Sequence, residues 1–157
     1  MTLYLIRHAS AQQRRVHDPD DAARILDDYG RGQARRLAET LGSAGIGRLL
    51  SSRATRCLQT VGPLAQVTGL SIEEVDVLFE GSSTSRVLEL IRSFGDANVV
   101  LCSHGDIIPD VIRALEVGGT IVHGERRCAK GSIWQLEMLD DRIDTATYLD
   151  ALTPLGT

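Results

Sequence analysis

The 157 residues, 43% of them hydrophobic, are enough for one globular domain with a sizeable core, and residues 1–157 read as a single domain. Seventeen Lys and Arg against 21 Asp and Glu leave a net charge of −4, so the overall balance advertises neither nucleic acid nor an anionic membrane as partner, and any anion site must be local. Cys57, Cys102 and Cys128 are odd in number and outside any C-x-x-C pattern, the N-terminus shows no basic leader, and no apolar run approaches about 18 residues, which excludes a disulfide framework, a zinc site, export and a membrane span and leaves reduced thiols in a cytoplasmic protein.

Strand and helix alternate along the chain. Leu3-Tyr4-Leu5-Ile6 is a short apolar run that reads as a buried first strand, and it ends on Arg7-His8-Ala9-Ser10. A polar loop from Ser10 to about Asp28 leads to a helix near Gly32 to Ala44, with Ala34, Leu37, Ala38 and Leu41 on one face. Leu49-Leu50 ends a second strand. A helix from about Ala54 to Thr68, an extended segment from Ile72 to Val77 and a helix near Ser83 to Phe94, which groups Val87, Leu88 and Ile91, come next. Asn98-Val99-Val100-Leu101-Cys102 is the clearest buried strand; it runs into Ser103-His104-Gly105 and a helix stopped by Gly118-Gly119. Ser132 to Leu139, a turn at Asp140-Asp141 and Arg142 to Tyr148 form a closing hairpin, after which the last few residues read as frayed. The alternation predicts an α/β fold: a mostly parallel central sheet with helices on both faces and a C-terminal hairpin.

In such a sheet ligands gather beyond the carboxyl ends of the strands. His8 follows the first strand, Ser51-Ser52 leads to Arg56 after the second, and His104 follows the strand at Val99 to Cys102. Two arginines and two histidines can therefore converge. Arginine offers a permanently charged fork for phosphoryl oxygens, and a neutral histidine can attack phosphorus or move a proton.

Three elements, in order, resemble the histidine phosphatase (phosphoglycerate mutase-like) superfamily: Leu5-Ile6-Arg7-His8-Ala9, then Ser51-Ser52-Arg53-Ala54-Thr55-Arg56-Cys57-Leu58-Gln59-Thr60 against the family's S-S-x-x-x-R-A/C-x-Q-T, then Ser103-His104-Gly105. The resemblance runs from Thr2 to about Leu139 and implies a three-layer sandwich. In size the chain is similar to SixA-type phosphohistidine phosphatases. Leu101 to Pro109 and Cys128 to Trp134 also look like the phosphatase half of actinobacterial proteins that join a Nudix hydrolase to a histidine phosphatase, although this sequence has no Nudix glutamate box.

The resemblance implies a phosphohydrolase in which His8 becomes a phosphohistidine that water then hydrolyses, while Arg7, Arg56 and His104 hold the phosphoryl oxygens. No cofactor or metal is required, and no H-x-x-x-H spacing suggests one. Glu80 is the expected general acid, with Asp106 as rival or as cap of the helix that follows it. Ser10, Arg14, Asp106 and Lys130 are possible contacts to substrate; Arg15 and Arg53 belong to the rim, and His17 and His123 to loops. The expected substrate is a phosphohistidine protein or a small phosphomonoester. The alternatives are a nucleotide, such as an oxidised guanine nucleotide handled together with a separate Nudix hydrolase, and a noncatalytic anion-binding domain. A mutase is disfavoured because the spacing leaves no room for a cap that would exclude water.

Overall fold

The computed structural model describes residues 1–151; the expectation of a frayed C-terminus lies outside them. One seven-stranded sheet has the order β3-β2-β4-β1-β6-β7-β5. Its strands are β1 (Thr2–Arg7), β2 (Ile46–Ser51), β3 (Ile72–Glu74), β4 (Asn98–Ser103), β5 (Ile121–His123), β6 (Ile133–Leu139) and β7 (Arg142–Leu149). β1 to β4 are mutually parallel where they pair, β6 is antiparallel to both β1 and β7, and β5 pairs parallel with β7. The sheet is thus mostly parallel, as the β-α alternation requires.

Helices cover both faces, and the period-2 alternation of each central strand divides the core between them. Leu3 and Leu5 of β1, with Val99 and Leu101 of β4, pack with Val87 and Ile91 of α3 (Thr84–Arg92) and Val111 and Leu115 of α4 (Ile108–Val117). Tyr4 and Ile6, with Val100 and Cys102, turn the other way, toward Leu37 and Leu41 of α1 (Asp28–Leu41) and Val61 and Leu64 of α2 (Thr55–Thr68). A strand buried on both sides reads as an unbroken apolar run, which is why β1 and β4 stand out in the sequence. Burying each of these aliphatic side chains contributes about 1.5–3 kcal/mol. The middle of the sheet is therefore a rigid base for whatever its strand ends carry.

Several boundaries differ from expectation. α1 starts at Asp28 rather than near Gly32, because the Asp27 carboxylate accepts the Gly30 N–H at 2.7 Å and caps the helix well before its apolar stripe begins at Ala34. The extended segment after α2 pairs only over Ile72–Glu74 and then tightens into a 3₁₀ turn at Asp76–Leu78. β5 was not foreseen, since three residues give no periodicity; it places His123 on a strand instead of in a loop. The hairpin β6-β7 forms as expected, with both turn residues, Asp140 and Asp141, at positive φ.

Candidate active site

The parallel strands β1, β2 and β4 end at the same edge of the sheet. Pairing of Arg7 with Ser103 and of Ser51 with Cys102 brings the residues that follow each strand to one level. The His8 N–H donates to the Ser103 carbonyl at 3.0 Å and the Arg7 N–H to that of Ser132 at 3.1 Å, so the end of β1 is clamped from both sides. Thr60 closes the arrangement from α2: its hydroxyl accepts the Ala9 N–H at 2.9 Å and donates to the Arg56 carbonyl at 2.7 Å.

His8 is 5% exposed, and its ring lies edge-on to that of His104 with centroids 5.5 Å apart. Nδ1 is 2.8 Å from the Ala9 carbonyl oxygen. A carbonyl can only accept, so Nδ1 carries the proton and the uncharged ring presents a bare Nε2. Burial, opposed by the Ala9 hydrogen bond and reinforced by the charges of Arg56 and Arg7, lowers the His8 pKa to about 3. A histidine held uncharged in the presence of two guanidinium groups is the form that can attack phosphorus.

This shift carries a stability consequence. From pH 6.5 down to about 3 the unfolded chain binds a proton at His8 that the folded chain does not, so the contribution is complete above pH 6.5 and is lost as pH falls through this window. The loss amounts to up to about 1.4 kcal/mol per pH unit. Urea unfolding between about pH 7 and pH 4 should show wild type losing stability more steeply than His8→Gln; parallel slopes would contradict the shift.

Arg56 is fully buried on the first turn of α2. Its Nη1 donates to the Asp21 carbonyl at 3.1 Å; its Nη2 pairs closely with Glu80 Oε1, is 3.6 Å from Asp21 Oδ2 and is 3.4 Å from His104 Nδ1. Glu80 Oε1 lies 3.5 Å from the same Nδ1. Arg14 Nη2 reaches both Glu80 oxygens at 3.1 Å and Asp21 at 3.3 Å, and Arg24 Nε reaches Asp21 at 3.0 Å. Partial burial opposes ionisation of Asp21, but hydrogen bonds from Arg14 and Arg24 outweigh it and hold the carboxyl below its usual range. Arg7 is fixed by Nη1, which donates to the Cys128 carbonyl at 2.6 Å. Arg7 Nε and Arg56 Nε are both buried with no acceptor among the described residues, and an oxyanion is the ligand that supplies acceptors to such a pair. Gly105 makes room for this arrangement: a Cβ there would stand 2.6–2.9 Å from the Arg7 guanidinium.

A cleft of about 430 Å³ is bounded by Arg7, His8, Arg14, Glu80, His104 and Asp106, with Lys130 exposed on its rim; Arg56 lies beneath its surface, against Glu80 and His104. Ser10 is not among them: its hydroxyl donates to Asp27 at 2.7 Å and its N–H to Gln33 at 2.8 Å, so it serves the start of α1. Asp106 does not cap α4, whose N-cap is Ile107; its carboxylate accepts the Gly81 N–H at 2.9 Å and ties down the segment that carries Glu80. Arg53 stacks on Phe79 at 3.6 Å, Arg15 lines a neighbouring groove, and His17 sits in a positive-φ turn. Sequence reasoning missed Asp21, which lies in an acidic loop without periodicity, and gave no separate role to Ser52 or Thr60, although both stand inside the quoted motif. Among the described residues no group of three or more His, Cys, Asp or Glu is placed to hold a metal ion, and no helix is long and apolar enough to cross a membrane.

Comparison with known proteins agrees with this geometry. The model of the histidine phosphatase superfamily (branch 1) matches residues 3–84, just over half of the chain. An 8-oxo-(d)GTP phosphatase of Mycolicibacterium smegmatis is 32% identical over 155 residues, which cover 94% of this chain; the chain spans 48% of that relative's length. Among solved structures, the protein histidine phosphatase SixA complexed with tungstate superposes with a TM-score of 0.74 at 20% identity, covering 96% of this chain and 95% of that one. A mycobacterial glucosyl-3-phosphoglycerate phosphatase superposes at 0.67 with 18% identity, covering 94% and 95%. With Arg7-His8, Arg56 and His104 gathered at one sheet edge and the family model matched across the first two of these elements, the chain belongs to the histidine phosphatase superfamily.

Proposed function

We propose that this protein is a phosphohydrolase in which His8 Nε2 attacks phosphorus and water then releases phosphate from the phosphohistidine. The observation that carries this reading is the convergence of an uncharged, oriented His8 with Arg7 and His104 on one cleft, with the buried Arg56 held just beneath it against Glu80 and His104. Dividing the displacement into two steps replaces one hard transfer by two easier ones. Arg7 and Arg56 meet the charge on the equatorial oxygens as the phosphoryl group moves in line, and their fixed backbone partners mean that little reorganisation accompanies the reaction.

Glu80 is the proton donor in this scheme. Its Oε1 lies where Arg56 Nη2 and His104 Nδ1 converge, the position a phosphoryl oxygen would take. An arriving phosphoryl group displaces the carboxyl from Arg56. Arg14, which is more than half exposed, keeps the freed carboxyl at the mouth of the cleft, beside the leaving group. Glu80→Gln should therefore slow hydrolysis of an alkyl phosphate by about 10²-fold or more in kcat and spare an aryl phosphate, whose leaving group departs without help. Equal slowing of both substrates would remove Glu80 from the role.

The acid favours a phosphoester over a phosphohistidine substrate, because an imidazole leaving group needs less protonation. Similarity to the 8-oxo-(d)GTP phosphatase supports a second reading, in which the substrate is a nucleotide; a separate Nudix hydrolase as partner is our proposal under that reading. Comparing kcat/KM for nucleoside di- and triphosphates, sugar phosphates and a phosphohistidine protein tests the choice of substrate. A preference of tenfold or more for the nucleotides would select the second reading, and a preference for the phosphohistidine protein would overturn both choices of substrate while leaving the reaction through His8 in place.

A further inference from the structure

Behind His104, on the side away from the cleft, two hydrogen-bonding side chains face one ring nitrogen. Ser52 Oγ is 2.8 Å and Cys57 Sγ is 3.6 Å from His104 Nε2. The ring is 1% exposed, and Ser52 and Cys57 are wholly buried, so no solvent completes their hydrogen bonds. Ser52 Oγ has a second partner, the Ala54 N–H at 3.2 Å, which can only donate. One lone pair of that oxygen is thus in use, and the hydroxyl proton needs an acceptor. Two acceptors are within its reach, Nε2 and the Cys57 sulfur, and the ring nitrogen is much the stronger.

We infer that Ser52 is a positioning residue that fixes the tautomer of His104: its hydroxyl donates to Nε2, which leaves the ring proton on Nδ1, pointed at the phosphoryl site. Hydrogen-bond accounting favours this placement. With a proton on Nε2, Ser52 would accept from both Nε2 and Ala54, and its own buried proton would be left with the weak acceptor Cys57 Sγ. At the front of the ring, Nδ1 is 3.5 Å from Glu80 Oε1, the acceptor an Nδ1–H requires; Arg56 Nη2, 3.4 Å from the same nitrogen, donates to it in the other tautomer and turns to Glu80 Oε1 in this one. Two donors aimed at one oxygen make a seat for an oxyanion, and a bare Nδ1 would repel that same oxygen. His8 and His104 are thus set in opposite senses by groups of opposite character. A carbonyl that only accepts bares Nε2 of His8 for attack, and a hydroxyl that donates puts the proton of His104 on Nδ1 for stabilisation.

This role rests on the proposed reaction, but the tautomer can be read without it. Long-range ¹H–¹⁵N correlation of the resting protein, with His104 identified by the signals missing in His104→Gln, should show a pyrrole-type Nδ1 and a pyridine-type Nε2. Ser52→Ala should mix the tautomers and lower kcat on an aryl phosphate by about tenfold or more with little change in KM, the size expected for one hydrogen bond made late in the reaction. Ser52→Thr, which keeps the hydroxyl, should restore both the spectrum and kcat. A protonated Nε2 in wild type, or a tautomer unchanged in a folded Ser52→Ala protein, would overturn the inference. If Ser52→Ala does not fold, the wild-type spectrum and the Ser52→Thr pair decide. An Nδ1–H tautomer in a protein that turns over no phosphate would sink the reaction and leave the role of Ser52 in orienting the ring intact.

Discussion

His8→Asn is expected to abolish turnover, lowering kcat by at least about 10⁴-fold, because the amide nitrogen of the variant is not nucleophilic and the two-step route is closed. The side chain is buried at the end of the central strand, so an uncharged replacement of similar polarity keeps the fold. Rapid quenching of wild type after brief reaction with a ³²P-labelled phosphoester should leave label on the protein that survives alkali and is lost in acid, as a phosphoramidate would be. His8→Asn should carry none. Label retained by the variant would place the phosphoryl group on another residue, and undiminished turnover by an unlabelled wild type would mean direct attack by water.

The second large effect lies away from the reacting atoms. Gly30, in the first turn of α1, packs directly on the backbone of Ser10: a Cβ there would be 2.8 Å from the Ser10 carbonyl carbon, nearer still to its oxygen, and 3.1 Å from its nitrogen. No side chain can swing aside to relieve this, and the Ser10 carbonyl also accepts the Asp27 N–H at 3.2 Å. Gly30→Ala must therefore separate α1 from the turn that follows His8, at a cost of about 3 kcal/mol or more. For a domain of this size that lowers Tm by roughly 6–12 °C. Gly32 supplies the contrast. It is interior to α1, and a Cβ there would meet only the far end of the Arg35 side chain at 3.8 Å, so Gly32→Ala should stabilise by about 0.5–1 kcal/mol. Thermal unfolding of the two variants side by side checks both signs; a harmless Gly30→Ala would mean that the contact between α1 and Ser10 is not tight.

The residues that converge were legible in the sequence because strand ends and chemistry coincide: Arg7-His8 and His104 follow apolar runs whose burial on two faces makes them conspicuous, and Arg56 stands in the motif that begins at Ser51-Ser52, where the shorter apolar end of β2 stops. What could not be read is how these groups are held. Asp21 reaches Arg56 from a loop 35 residues away in sequence, and nothing in Pro19-Asp20-Asp21-Ala22 marks one aspartate as facing inward. The start of α1 was misplaced because its first turn is Asp28-Tyr29-Gly30-Arg31, where glycine and polarity hide the helix and the capping carboxylate of Asp27 is the signal. Asp106 was read as a cap because an aspartate beside a helix start usually is one; here its partner is the Gly81 N–H, a contact made only in three dimensions.

The carboxylates on Arg56 also bear on how an anion is captured at that residue. A guanidinium with no solvent exposure must be neutralised where it sits, and Glu80 and Asp21 do this before any ligand arrives. Binding at Arg56 is then an exchange of one anion for another. Arg7, whose partner is the Cys128 carbonyl, has no carboxylate beside it among the described residues and keeps its charge for the arriving phosphate, so attraction is confined to the cleft on a protein whose net charge is −4. Selection among phosphorylated molecules falls to the contacts made after arrival.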